Sequence, residues 1–213
     1  MEITIAIVCH TEAIVYECLR KYPDAYIFLV GSSGYVKDPR VIITRELLHN
    51  IENEPKLLTF TVWYAIVKNN LFLNSNYICI LEYDIIVDNY FFNKLENKCE
   101  TNKYDVIAFL GGTECFFNDI NKDIFQNFLN YKEILYDTNK YWYWTTNQCI
   151  RRNILVDFVD WYYPACFKIK EEDLLKFAWY HERLFSVYID NKELAVIQIE
   201  GLKHLQLNSH SIV

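Results

Sequence analysis

Tyr77-Ile78-Cys79-Ile80-Leu81-Glu82-Tyr83-Asp84 decides how this chain is read. Tyr77–Leu81 is uncharged, bulky and apolar at every position, the pattern of a strand buried on both faces. Two carboxylates, Glu82 and Asp84, follow at its exit. In open α/β sheets, ligands collect beyond the carboxyl ends of parallel strands. A pair of acids there can hold a hard divalent cation through oxygen and leave coordination positions open for phosphate. An isolated acid pair can equally be a solvated loop, so its place after the buried strand carries the reading.

Working outward, Ile3–Val8 reads as a second buried strand, and Thr11 as the N-cap of a helix running through Leu19. Ala25–Val30 is a strand closed by a turn at Gly31–Gly34, and Arg40–Ile43 is a short one. Lys56–Asn70 follows a proline and reads as an amphipathic helix. Beyond the acid pair, Asn89–Lys98 is predicted as a helix, Tyr104–Leu110 as a strand ending at Gly111-Gly112, and Asp119–Tyr131 as a helix. Tyr141–Arg151 is aromatic and β-prone. Asn153–Tyr163 and Glu171–Asn191 read as helices, Leu194–Ile199 as a strand, and Glu200–Val213 as a polar tail. This alternation predicts an α/β fold: helices on both faces of a central, mostly parallel mixed sheet, with a small β-hairpin, in a single domain.

Of the 213 residues, 52% are hydrophobic and 23% charged, which excludes a disordered chain. Net charge is −7 without a basic cluster, so no nucleic-acid partner is expected. The aromatic fraction, 17%, implies a large aromatic core or a cleft lined with rings. The seven cysteines form no C-x-x-C pair and are expected as reduced thiols. No apolar run approaches the roughly 20 residues that cross a bilayer, and the N-terminus lacks the basic flank of a signal peptide. The expectation is a cytoplasmic protein without membrane insertion.

The Glu82-Tyr83-Asp84 segment resembles the D-x-D region of GT-A fold glycosyltransferases, which transfer sugars from nucleotide diphosphates. Other segments are similar to the same group, especially its bacterial and viral glycan-type members, chlorella-virus domains among them. These are the Lys56–Asn70 helix, Asn147-Gln-Cys-Ile-Arg151, His181-Glu-Arg-Leu-Phe-Ser-Val-Tyr188 and His204-Leu-Gln-Leu-Asn-Ser-His210. The likeness runs from about Ile3 to His210. It implies a nucleotide-binding half (1–110) and an acceptor-binding half (111–213), and the abrupt stop at Ser211-Ile212-Val213 leads to the expectation of a longer polypeptide with further domains.

The resemblance also implies roles. Asp84 would be the principal ligand of Mn²⁺ (or Mg²⁺), with Glu82, where the family usually has Asp, beside it and Tyr83 between them. His204 or His210 would supply a later ligand. Cys9, His10 and Thr11 would line the uracil and ribose pocket, with the Gly31–Gly34 turn nearby. Asn147 would bond donor-sugar hydroxyls, and Arg151 or Arg152 a phosphate or an acidic partner. Glu182 is the implied general base, with His181 about 100° around the same helix and Glu114 and Asp119 as substitutes. Tyr141–Trp144 would stack on a sugar or pack in the core. The implied activity is transfer of a hexose or deoxyhexose from a UDP-sugar to an oligosaccharide acceptor, inversion being favoured over retention. The rivals are a sugar nucleotidyltransferase, for which residues 9–12 lack a Gly-rich basic loop, and a non-catalytic carbohydrate-binding domain.

Overall fold

The structure, a computed structural model, describes residues 2–57, 59–112, 117, 120–139, 142–143 and 146–205. Its centre is β4 (Tyr77–Glu82), whose first five residues are buried. The strand's period of two divides them: Ile78 and Ile80 face one core, and Tyr77, Cys79 and Leu81 the other. Burying each such side chain contributes about 1.5–3 kcal/mol, so this strand tolerates no polar residue until it leaves the sheet at Glu82.

On one side β4 pairs in parallel with β1 (Ile3–Cys9), which is followed by α1 (Glu12–Lys21), β2 (Tyr26–Leu29) and β3 (Val41–Ile43). Next in the chain come α2 (Phe60–Lys68), β5 (Ile85–Val87), α3 (Phe91–Glu100), β6 (Val106–Ala108) and β7 (Gly111–Gly112). The second half supplies α4 (Lys122–Tyr131), β8 (Trp142–Tyr143), β9 (Gln148–Arg151), α5 (Arg152–Tyr162), α6 (Leu174–Asn191), β10 (Val196–Gln198) and β11 (Leu202–His204). The main sheet has seven strands in the order β10-β6-β9-β4-β1-β2-β3. All its pairings are parallel except those of β9, which runs antiparallel to both β4 and β6. The two-stranded pairs β5–β11 and β7–β8 join segments distant in sequence, where a local hairpin was expected.

Helices α2, α4, α5 and α6 cover one face of the sheet and α1 and α3 the other. The aromatic excess goes to the core. Trp63, Tyr162, Tyr180, Tyr188 and several phenylalanines, Phe28, Phe60, Phe125 and Phe158 among them, are all below 2% exposure, and Phe158 meets Trp63, Phe185 and Tyr188 edge to face at 4.8–5.6 Å. Trp142 is also buried, under the Arg183 guanidinium at 4.7 Å. The six described cysteines are free and buried, while Cys115 lies outside the described residues. Among the described residues no helix is long and apolar enough to cross a membrane.

Two expected elements change. Lys56–Asn70 is not one helix: a 3-10 turn (Pro55–Leu57) precedes α2, which begins at Phe60. The tail after Glu200 is not simply polar, because Leu202–His204 forms β11 on β5, with His204 opposite Ile85. Gly201 makes that return possible. Its φ is +117°, and a Cβ there would stand 2.6 Å from Asp88 Oδ2, so only glycine fits.

Candidate active site at the end of the central strand

Glu82 ends β4 on the α2/α5/α6 side, and its carboxylate is surrounded by donors. Thr59 Oγ1 donates to Oε1 at 2.8 Å, and Asn147 Nδ2 to Oε2 at 3.1 Å. The Glu82 backbone N–H donates in turn to Asn147 Oδ1 at 2.7 Å. His204 Nε2 stands 3.3 Å from Glu82 Oε2 and 3.5 Å from Asp84 Oδ1. The strand β11 delivers this histidine, and the Leu205 N–H fixes the next residue by donating to the Asp84 carbonyl at 2.9 Å.

Electrostatics follow from this packing. Burial alone would push the Glu82 carboxyl up, but bonds from His204 and Thr59 outweigh it and the group sits below the usual carboxylate range. Asp84 has no such set of donors: burial, then the neighbouring Glu82 charge, raises it despite His204. For His204 burial would lower the imidazole, yet the Glu82 bond and the Asp84 charge raise it above its ordinary value. Ligand atoms of Glu82, Asp84 and His204 all lie within 4.8 Å of one another. Cis ligands of an octahedral cation with bonds near 2.1 Å are about 3 Å apart, so the 3.3 and 3.5 Å spacings around Nε2 suit a divalent ion. The oxygen, oxygen, nitrogen donor set fits a hard or borderline cation such as Mn²⁺.

The rim beside Asp84 is made by the β1 exit. His10 is exposed, its ring 6.0 Å edge-on from Tyr83, and its charge is felt at Asp84. Thr11 caps α1, its hydroxyl accepting from the Ile14 N–H at 3.4 Å. The Cys9 thiol points away from the rim, toward Cys18 Sγ at 3.6 Å, and that contact, reinforced by burial, pushes it up. The Gly31–Gly34 turn is tied to the start of α1 through Glu12 Oε1, which accepts from the Tyr35 N–H at 2.7 Å. A Cβ on Gly34 would collide with that carboxylate at 2.1 Å.

Several expected roles do not match the placement. Arg151 is a correction: it pairs with Tyr77 at the opposite end of β4, its guanidinium engaged by Asp105, Asn102 and the Tyr104 carbonyl. Five residue steps of strand, about 16–17 Å, separate its partner Tyr77 from Glu82, so it is a structural clamp. His181 is a second correction. It is 3% exposed and boxed by Phe60, Trp63, Phe158 and Tyr162, with ring centroids 4.9–5.6 Å away. Among the described residues neither ring nitrogen has a hydrogen-bond partner, and burial drives its pKa down to about 3. Asn147, expected at sugar hydroxyls, is fully buried with its amide on Glu82. Glu182, one residue on from His181, is half-buried, and its charge is felt at His204. His210, Glu114, Asp119, Tyr141 and Trp144 lie outside the described residues. Thr59 is not among the expected site residues, because inside the predicted Lys56–Asn70 helix a threonine signals only weakened helix propensity.

No protein-family model and no curated protein sequence matches this chain. Solved structures do. WbbM, described as a bifunctional glycosyltransferase in its apo form, superimposes with a TM-score of 0.68 at 14% identity over 96% of this chain. This chain spans 45% of the WbbM chain, less than half its length. Protein A197 from STIV (TM-score 0.42, 13% identity) is matched over 95% of this chain and 84% of its own. The galactosyltransferase LgtC with donor and acceptor sugar analogues (TM-score 0.42, 10% identity) is matched over 92% and 72%. The mixed α/β sheet built around β4 is therefore a fold this chain shares with a glycosyltransferase.

Proposed function

We propose that this chain is a metal-dependent glycosyltransferase that moves a hexose or deoxyhexose from a UDP-sugar to an oligosaccharide acceptor. One observation carries the reading: Glu82, Asp84 and His204 converge at the exit of the innermost strand, in a fold shared with WbbM. Asp84 and His204, with Glu82 beside them, would hold Mn²⁺ or Mg²⁺. Such a cation supplies Lewis-acid neutralisation of the charge that develops on a departing nucleoside diphosphate, and lets a chain of net charge −7 accept an anionic donor.

The residues around it divide the remaining work. His10, which is exposed, and the half-buried Tyr83 beside it would line the nucleoside pocket. Glu182 would take the proton from the acceptor hydroxyl, a general base suited to inversion. The test is thermal unfolding with UDP, with Mn²⁺, and with both, followed by hydrolysis of a panel of UDP-sugars. UDP stabilisation that depends on Mn²⁺ and disappears in Asp84→Asn supports the reading. UDP stabilisation indifferent to metal, or full activity in Asp84→Asn, refutes it.

A further inference from the structure

We propose that Asn147 and Thr59 are positioning residues that clamp Glu82, and through it set the spacing of the Glu82–Asp84–His204 cluster. The inference rests on the metal reading above. In the β4–β9 register Ile80 faces Gln148, so the next pair along the ladder would be Leu81 with Asn147. The ladder stops there, because β9 begins at Gln148. Asn147 replaces the missing main-chain bond with its side chain, accepting from the Glu82 N–H at 2.7 Å while donating to the Glu82 carboxylate at 3.1 Å. One amide thus grips both the backbone and the head group of the same residue, which fixes the side-chain torsions between them.

Thr59 secures the other oxygen. It stands at the start of α2 with helical backbone torsions (φ −59°, ψ −29°) rather than the extended ones of a capping residue, and its side chain makes no cap bond. Its hydroxyl proton is directed to Glu82 Oε1 instead, at 2.8 Å. Both clamping side chains are buried, and neither carries charge. Glu has one more rotatable bond than Asp, so the acid at this position needs such anchoring to present Oε2 to His204 Nε2. Partners one step out from a metal's ligands typically change metal affinity 10–100-fold when removed.

The experiment measures Mn²⁺ dissociation constants on the full chain from the EPR signal of free Mn²⁺, with circular dichroism melting as the fold control. Asn147→Ala is expected to weaken Mn²⁺ about 10–100-fold and Thr59→Val about tenfold, with Thr59→Ser restoring wild-type affinity. In a Glu82→Ala background Asn147→Ala should add less than about twofold, because its route to the metal is gone. If Asn147→Ala fails to fold, the Thr59→Val and Thr59→Ser pair decides. Affinities unchanged in Asn147→Ala and Thr59→Val, or an equal loss with and without Glu82, overturn the inference alone. A wild-type chain that binds no Mn²⁺, with or without UDP, overturns the metal reading and this inference with it.

Discussion

Replacing His181 should remove a defined piece of the acid sensitivity of this fold. The imidazole is neutral among four aromatic rings, and its folded pKa of about 3 lies below the ordinary 6.5. Above pH 6.5 both folded and unfolded chains carry it neutral, and protonation makes no difference between them. As pH falls through 6.5 the unfolded chain takes up a proton that the folded one refuses, so stability falls with pH. The slope is about 1.4 kcal/mol per pH unit. This group alone therefore costs about 2 kcal/mol between pH 7 and pH 5, and about 4 kcal/mol by pH 3, where the folded imidazole begins to take its proton too. His181→Leu and His181→Phe remove the titration and also two buried nitrogens that have no partner among the described residues. At pH 7 they should be no less stable than wild type beyond the roughly 1–3 kcal/mol of imperfect repacking. Urea unfolding of the metal-free chain, followed by tryptophan fluorescence at pH 7 and pH 5, gives the double difference. A wild-type loss exceeding the variants' by about 2 kcal/mol is expected, and equal losses in all three chains would refute the placement of a neutral imidazole in this core.

Other substitutions probe the neighbouring claims. Gly201→Ala should destabilise the chain by about 1–3 kcal/mol, since an L-residue is strained at φ +117° and its Cβ meets Asp88. It should weaken Mn²⁺ binding as well, because β11 carries His204, and a calorimetric titration beside a melting curve reads both. Glu182→Gln should lower kcat by about 10²–10⁴-fold while leaving UDP and Mn²⁺ binding unchanged, as measured by single-turnover transfer. Arg151→Ala should cost about 1–2 kcal/mol in urea unfolding through its lost bonds to Asn102 and Tyr104, with the KM for the donor unaltered. A raised KM there would restore the phosphate role that its position argues against.

The layered fold was legible because its signals are local. An uncharged run such as Tyr77–Leu81 can only be a strand or a buried helix segment, and the acids that end it mark the sheet edge. Asp84 and Glu82 were visible for the same reason, and His204 through the resemblance of its segment. What failed depends on tertiary pairing. The Leu202–His204 strand is three residues long and gains its identity from β5 and from the bend at Gly201, so its sequence alone looks like a tail. Arg151 follows a motif-like Asn147, but antiparallel pairing with β4 carries it away from the acid pair as surely as it brings Asn147 toward it. His181 and Glu182 are adjacent in sequence and 100° apart on α6, and nothing in their order tells which one enters the aromatic box. Thr59 lies inside the predicted Lys56–Asn70 helix and shows nothing of its role until Glu82 is seen beside it.

The most direct test is an anomalous-difference map from crystals of the full chain grown with UDP and Mn²⁺, recorded on the low-energy and high-energy sides of the manganese edge. A single edge-dependent peak about 2–2.3 Å from Asp84 and His204, with the UDP diphosphate on its far side, is the predicted result. Manganese and nucleotide bound elsewhere, or a UDP ordered at the β1 exit with no metal peak at these residues, would contradict the proposed metal-dependent sugar transfer.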